Sequence, residues 1–402
     1  MDFSTLSHLS KTPGIGGSIK HSPADFIVEE ITLKNKVINL DVPFLEESAA
    51  DGTFTIFVAQ KSNWTTLSLI DEISRHLKIH PKFFSYAGIK DRSALTTQLI
   101  CVSGNHIGAI NSLQIKDVKI LGSYLSKTRL QTGDLSGNRF TINLNFPVDR
   151  VPDYSNLSKI SSELNGSFPN YFGPQRFGTN RQNTHLIGQK ILQNDLAGAI
   201  NSILCDIENE TNEKVLFARS EFEKTQDLLA ALKNFPKHLR IERDLISYLL
   251  KKPKDFSGAI KSLPRQLSLL YIHAFQSYLF NLLLSERLND GPVVLEEGEY
   301  FCSFDSYFPN LDAVSGFGPI VGKIIGYKTI LSKREKALFE KLNLDKDCFR
   351  LKHLSDISSK GSRRLLLCPI IDFKNENNLF SFSLPSGSYA TSLLREFMDK
   401  KK

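Results

Sequence analysis

The chain has 402 residues, 41% hydrophobic and 23% charged, with 28 Phe and 11 Tyr. Those values exclude a disordered chain and allow two domains with sizeable cores. Lys and Arg (50) outnumber Asp and Glu (43), and the resulting net charge of +7 suits a polyanionic partner without requiring one.

The chain opens with "MDFSTLSHLSKTPGIGG", which lacks the basic-then-apolar pattern of a secretory signal, so a cytoplasmic protein is expected. The glycine run "PGIGGS" has neither a preceding strand nor a following Lys-Ser/Thr and is not read as a phosphate loop. Residues 25–31 ("DFIVEEI") alternate as a strand, with Phe26 and Val28 on one face and Ile27 and Ile31 on the other; 53–59 ("TFTIFVA") is a second strand. The period then changes. Leu67, Ile70, Ile73 and Leu77 predict a helical stripe, which Pro81 ends.

The next connection, "SYAGIKDRSALTTQ" (85–98), sets Lys90, Asp91 and Arg92 side by side before another strand. Such a triplet is ordinarily a hydrated turn, but a carboxylate beside cations is also what a nucleophile or base requires. "TGDLSGN" forms a turn into the alternating strand 139–146, "RFTINLNF". From about residue 161 the chain becomes Gly- and aromatic-rich, then mostly helical. "FPNYFGPQRFG" (168–178) offers Asn170, Gln175 and Arg176 as donors among aromatics, with Asn180 just beyond, a chemistry suited to phosphates and bases. The apolar run 267–284 carries His273, Gln276, Ser277 and Asn281 and is expected to be a core helix rather than a membrane span. Strands return at "RRLLLCPIIDF" and "LFSFSLP", and the amphipathic "SYATSLLREFMDK" closes the chain. Two β-rich stretches thus flank a helix-rich middle, either as tandem domains or as a helical insertion into one β-rich domain.

The cysteines (Cys101, Cys205, Cys302, Cys348 and Cys368) are odd in number and widely spaced, without a C-x-x-C, so neither a disulfide framework nor a zinc site is expected. They read as buried thiols in a reducing compartment.

Five pieces occur in order: "IKHSPADFIVEEI", "YAGIKDRSALTTQ", "GDLSGNRFTI", "NYFGPQRFG" and "FSLPSGSYATSLLRE". Together they resemble the TruD family of RNA pseudouridine synthases across nearly the whole chain. The resemblance implies an α+β fold, a catalytic domain on a mixed, mainly antiparallel sheet (1–165 and 356–402). An inserted helix-rich TRUD domain (166–355) interrupts it, with a cleft between the two. It implies that Asp91 is catalytic, that Phe26 lies at the substrate base, that Asn138 contacts substrate, and that Tyr389 packs on the target base. Lys90, Arg92, Arg176 and Arg364 become candidates for phosphate contacts or for pairing with Asp91, and a guanidinium is the expected partner of that acid. The implied reaction needs no cofactor, and the implied partner is RNA, most specifically uridine 13 of tRNA. A noncatalytic RNA-binding or RNA-folding protein is the competing reading, and a basic enzyme acting on small molecules a third.

Overall fold

The computed structural model describes residues 1–149, 152–178, 181–304 and 306–399. It divides into two compact units. The first comprises Leu9–Phe168, Phe304–Asn310 and Leu367–Lys402; the second comprises Met1–His8, Pro169–Ser303 and Leu311–Leu366. Residues 362–365 pair with a strand of the second unit, so that unit runs on to Leu366.

The first unit begins with β1 (Phe26–Ile31), β2 (Phe54–Ser62), α1 (Thr66–Leu77), β3 (Phe84–Tyr86) and β4 (Leu95–Ser103). It continues through α2 (Ile107–Asn111), β5 (Val118–Ser126), β6 (Gly137–Asn143), α3 (Ser155–Leu164) and β7 (Ser167–Pro169). The second contributes helices α4 (Thr184–Leu192), α5 (Leu196–Cys205), α6 (Glu213–Thr225) and α7 (Leu228–Asn234). It adds α8 (Arg240–Lys251), α9 (Phe256–Ser262), α10 (Arg265–Asp290), β8 (Tyr300–Ser303), β9 (Asn310–Val314), β10 (Ile320–Ile324), α11 (Lys333–Lys341) and β11 (Ser362–Leu365). The chain then returns to the first unit with β12 (Leu367–Pro369), β13 (Ile371–Glu376), β14 (Leu379–Pro385) and α12 (Ala390–Met398).

The main sheet runs β13-β14-β6-β1-β4-β2-β5, with β3 also against β4. Only the β1–β4 pairing is parallel, so the sheet is mixed and mainly antiparallel as expected. The closing strands β13 and β14 lie beside β6, which favours the insertion topology over tandem domains.

Directly paired residues share a face of a sheet. Phe26 and Glu30 (β1), Asn138 and Phe140 (β6), Phe382 and Leu384 (β14), Thr96 (β4) and Lys61 (β2) therefore line one face. Over β1, β6 and β14 this face is sealed by Leu157, Ile160 and Leu164 of α3 and by Leu393, Leu394 and Phe397 of α12. Over β2 and β4 it is sealed by Leu69, Ile70 and Ile73 of α1. Each such large apolar side chain contributes about 1.5–3 kcal/mol on burial, so the helices are fastened by their apolar stripes. In α1 the stripe differs from the expectation: Leu67 is 51% exposed, whereas Thr66 is buried. The Thr66 hydroxyl donates to Oε1 of Gln98 at 2.8 Å, and that polar contact turns the helix so that Thr66, Leu69, Ile70 and Ile73 face inward.

The amino-terminal arm is clasped to the ends of α3 and α12. Glu396 accepts from the Leu9 and Ser10 amides at 3.2 and 3.0 Å. Glu163 accepts from the Ser10 hydroxyl, the Lys11 and Thr12 amides and the Thr12 hydroxyl at 2.6–3.1 Å. Burial acts against ionisation of Glu163, but these donors outweigh it and hold its pKa down to about 2. The "PGIGGS" run lies against the end of α12: the Gly14 and Ile15 amides donate to the Asp399 and Phe397 carbonyls, and a β-carbon at Gly14 would lie 2.6 Å from the former.

In the second unit α10 forms the core with α4, α5, α8 and α9 through Phe275, Ile272, Ile191, Ile200, Leu245 and Ile260. The 267–284 run is therefore mostly packed inside protein, although α10 is long and apolar enough to span a membrane. Cys101, Cys205, Cys302 and Cys368 are buried thiols outside any disulfide and Cys348 is half-buried, where desolvation pushes its pKa up to about 12.

Candidate active site

Asp91 lies in the loop 87–94, between β3 and β4. The loop is held from below by the sheet. The Lys90 amide donates to Oγ1 of Thr66 at 2.9 Å, and Nε2 of Gln98 donates to the Gly88 carbonyl at 3.4 Å. Lys61, fully buried on β2, donates Nζ–H to the carbonyl oxygens of Trp64 (2.6 Å) and Asp91 (3.2 Å). Desolvation lowers the pKa of Lys61 to about 8, attraction by Asp91 opposes the shift, and repulsion by Lys90 adds to it.

The carboxylate of Asp91 is 41% exposed and pairs through Oδ2 with Nζ of Lys20 at 2.6 Å. Lys20 sits at the end of the clasped arm in a left-handed backbone conformation (φ 61°), and its ammonium lies 4.5 Å from the centre of the Phe26 ring. One cation thus touches both the acid and the aromatic. The neighbouring Lys90 turns the other way. It is 6% exposed, pairs with Glu30 at 2.9 Å and donates to Oδ1 of Asn138 at 2.5 Å.

Asn138 is brought close by β6, where it faces Glu30 on one side and Leu384 on the other. The preceding Gly137 is required there, because a β-carbon would lie 2.2 Å from the Leu384 carbonyl and 2.6 Å from the Phe308 ring. The chain leaves β14 beside this point, with the Ser386 amide bonded to the Ser136 carbonyl at 3.0 Å, and reaches half-buried Tyr389 as the N-cap of α12. An aspartate, its paired ammonium, an oriented amide and two aromatics are thereby carried by one unit.

The sequence profile described as "tRNA pseudouridine synthase D (TruD)" matches residues 3–397. The chain belongs to the TruD family. It is 35% identical over 426 residues to a Pyrococcus abyssi protein named "Probable tRNA pseudouridine synthase D", covering 97% of this chain and 98% of that one. A Methanococcoides burtonii protein of the same name is 31% identical over 430 residues, with 97% and 95% covered. The fold agrees with the crystal structure of a TruD protein from Methanosarcina mazei at a TM-score of 0.75 and 29% identity, covering 98% and 96% of the two chains. Membership makes this chain a tRNA pseudouridine synthase, an isomerase acting on RNA.

Within this TruD chain the expected site residues fall into two groups. Lys90, Asp91, Asn138 and Phe26 are linked through Lys20 and Glu30, and Tyr389 follows the strand beside Asn138. Two of these differ in detail from expectation. Lys90, a candidate for a phosphate contact or for pairing with Asp91, is buried against Glu30 and Asn138 and has its charge matched inside the protein. Phe26, expected to meet the base, is 4% exposed with Lys20 over its ring. Arg92 is exposed at the loop edge, with Nε donating to the Asn63 carbonyl at 3.2 Å.

Arg176 and Arg364 belong to the other unit. There they flank the Phe172 ring, with guanidinium carbons 5.8 and 3.9 Å from its centre. Nε of Arg176 donates to Oγ of Ser277 at 3.2 Å, and Arg364 donates to the carbonyl and Oδ1 of Asn170 at 3.0 and 2.8 Å. Asn170 itself is 3% exposed and donates to the Leu365 carbonyl, so this amide serves the packing. Phe168, Tyr171 and Phe177 are likewise buried, and Asn180 lies outside the described residues.

Sequence reasoning missed Lys20, Glu30 and Lys61. The expected partner of Asp91 was a guanidinium; its Oδ2 pairs with the ammonium of Lys20, a cation the sequence did not single out. A signal for the other two was available: Glu30 and Lys61 are ionisable residues inside strands that are otherwise β-branched and aromatic, and such residues are seldom buried without a task.

Proposed function

We propose that this enzyme converts a specific uridine of tRNA, uridine 13, to pseudouridine, with Asp91 as the acting carboxylate. The observation that carries the reading is the placement of Asp91: fixed through its backbone from β2, paired through its side chain with Lys20, and next in sequence to Lys90, which orients the amide of Asn138. On this reading residues 1–165 and 356–402 approximate the catalytic domain and 166–355 the inserted TRUD domain, with limits shifted as described above.

The reaction breaks the N1–C1′ bond of uridine, turns the base and joins C5 to C1′; the C5 proton leaves and N1 gains one. A stacked uracil must first be flipped out, at a few kcal/mol. Tyr389 offsets part of this, since stacking on an aromatic is worth about 1–3 kcal/mol per base. Phe26 acts one layer below, as the apolar floor that holds Lys20. Lys90 is a donor only, so it fixes Oδ1 of Asn138 toward itself and directs the amide's own donors elsewhere, where they suit a carbonyl of uracil. The ionised Asp91 then either attacks the nucleoside or removes the C2′ proton to give a glycal-like intermediate. Neither route calls for a cofactor. Arg92, exposed at the loop edge, is placed to meet a backbone phosphate, which makes binding salt-dependent. A tRNA substrate places the enzyme in the cytoplasm.

The test is pseudouridine mapping in tRNA transcripts incubated with the purified protein. Modification at position 13 supports the reading. Modification elsewhere corrects the site, and binding without modification favours the noncatalytic RNA-binding protein.

A further inference from the structure

Lys61 takes no part in the chemistry just described, yet it is an unusual side chain for its place. It lies inside the main sheet with no exposed surface, and its ammonium donates to two backbone carbonyls, those of Trp64 and Asp91. The two other lysines beside Asp91 are each salt-bridged: Lys20 to Asp91 itself and Lys90 to Glu30. Burying an ammonium without a paired carboxylate is unfavourable, and an apolar side chain of the same length would pack there at less cost. A destabilising residue persists where function needs it.

Building on the assignment of Asp91, we infer that Lys61 is a positioning residue for the reaction. Its ammonium clamps the backbone on either side of the helix α1 connection, at Trp64 and at Asp91, and so fixes where the catalytic carboxylate projects. It reaches the carboxylate from behind, through the main chain, while Lys20 reaches it from the front, through Oδ2. Complete burial keeps Lys61 away from any RNA phosphate. The clamp also adds positive potential at Asp91, in a local field that contains Lys20, Lys90 and Glu30.

The experiment compares wild type, Lys61→Met and Lys61→Arg by tRNA turnover, tRNA affinity and amide hydrogen exchange. In Lys61→Met, kcat is expected to fall about 100-fold, the scale set by misplacing a reacting group by about 1 Å. KM and Kd for tRNA stay within about twofold. Exchange at the amides of residues 90–94 rises at least about tenfold while β4 keeps its protection, a readout that needs no activity. Lys61→Arg keeps charge and donors and is expected to retain more kcat than Lys61→Met; it also serves if the methionine variant does not fold. The inference is overturned by a folded Lys61→Met with unchanged loop exchange, by a rise in KM alone, or by lost thermal stability with normal kcat per folded molecule. If wild type makes no pseudouridine while the loop still loosens in Lys61→Met, the clamp stands and the assigned reaction fails.

Discussion

The loop 87–94 and the segment 168–178 are both dense in charge, amides or aromatics, yet the structure uses them differently. In the loop, polar side chains orient one another: Lys20 holds Asp91, and Lys90 joins Glu30 to Asn138. In the segment, the same residue types are spent on the fold, with Asn170 bonded to β11 and Phe168, Tyr171 and Phe177 buried. The difference follows from the neighbours. A loop rising from a sheet whose interior carries Lys61 and Glu30 inherits fixed charges, whereas the segment sets Phe172 edge-on against Phe280 of α10 and Phe177 against His185 of α4. Local composition alone does not distinguish an active site from a polar joint.

Substitutions can sharpen or break this contrast. Lys20 is paired with the acid itself, so its loss is expected to act on turnover directly. Lys20→Met removes the counter-ion and loosens the carboxylate, lowering kcat about 10- to 100-fold with tRNA affinity little changed. Steady-state kinetics checks this; an unchanged kcat would remove Lys20 from the site.

Tyr389→Ala comes next. Loss of about 1–3 kcal/mol of stacking predicts a 5- to 150-fold drop in kcat/KM, with Tyr389→Phe near wild type if the ring alone matters. A phenylalanine variant as poor as the alanine one assigns the work to the hydroxyl.

On the other side of the comparison, Asn170→Ala is expected to cost about 1–3 kcal/mol of stability by removing the amide donor to the buried Leu365 carbonyl and one of the acceptors of the Arg364 guanidinium. Urea denaturation measures that loss, and turnover per folded molecule should not change. Reduced turnover with intact stability would turn Asn170 back into a substrate contact.

The smallest effect is expected at Glu163. Its folded pKa, near 2, lies below the usual carboxylate value, so the clasp on the arm contributes stability above about pH 4.3 that is lost as pH falls toward 2. Glu163→Gln should narrow the difference in stability between pH 6 and pH 3 seen in wild type, by thermal unfolding at both pH values. An identical pH dependence in the variant would show that other carboxylates dominate.

The main strands, the central helix α10 and the closing helix were legible because each buries a regular apolar stripe. Asp91, Asn138 and Tyr389 were named because they fall in compact motifs that resemble the family's. Glu30 and Lys61 were not, since their placement depends on strand register, which joins residues 61, 96 and 28 across three strands, and Lys20 was not, since it reaches Asp91 from an arm 71 residues away in sequence. The phase of α1 escaped for a related reason: Thr66 faces inward only because Gln98 on β4 waits for its hydroxyl. Arg364 against Phe172 was equally hidden, as it joins segments 192 residues apart in sequence.

The central claim is that the carboxylate of Asp91 isomerises uridine in tRNA, and tritium release from C5-tritiated tRNA measures it most directly. Wild type is expected to release one tritium per modified site without any added cofactor, while Asp91→Asn, folded and binding tRNA within about twofold of wild type, releases none. Equal release by the asparagine variant would contradict the account.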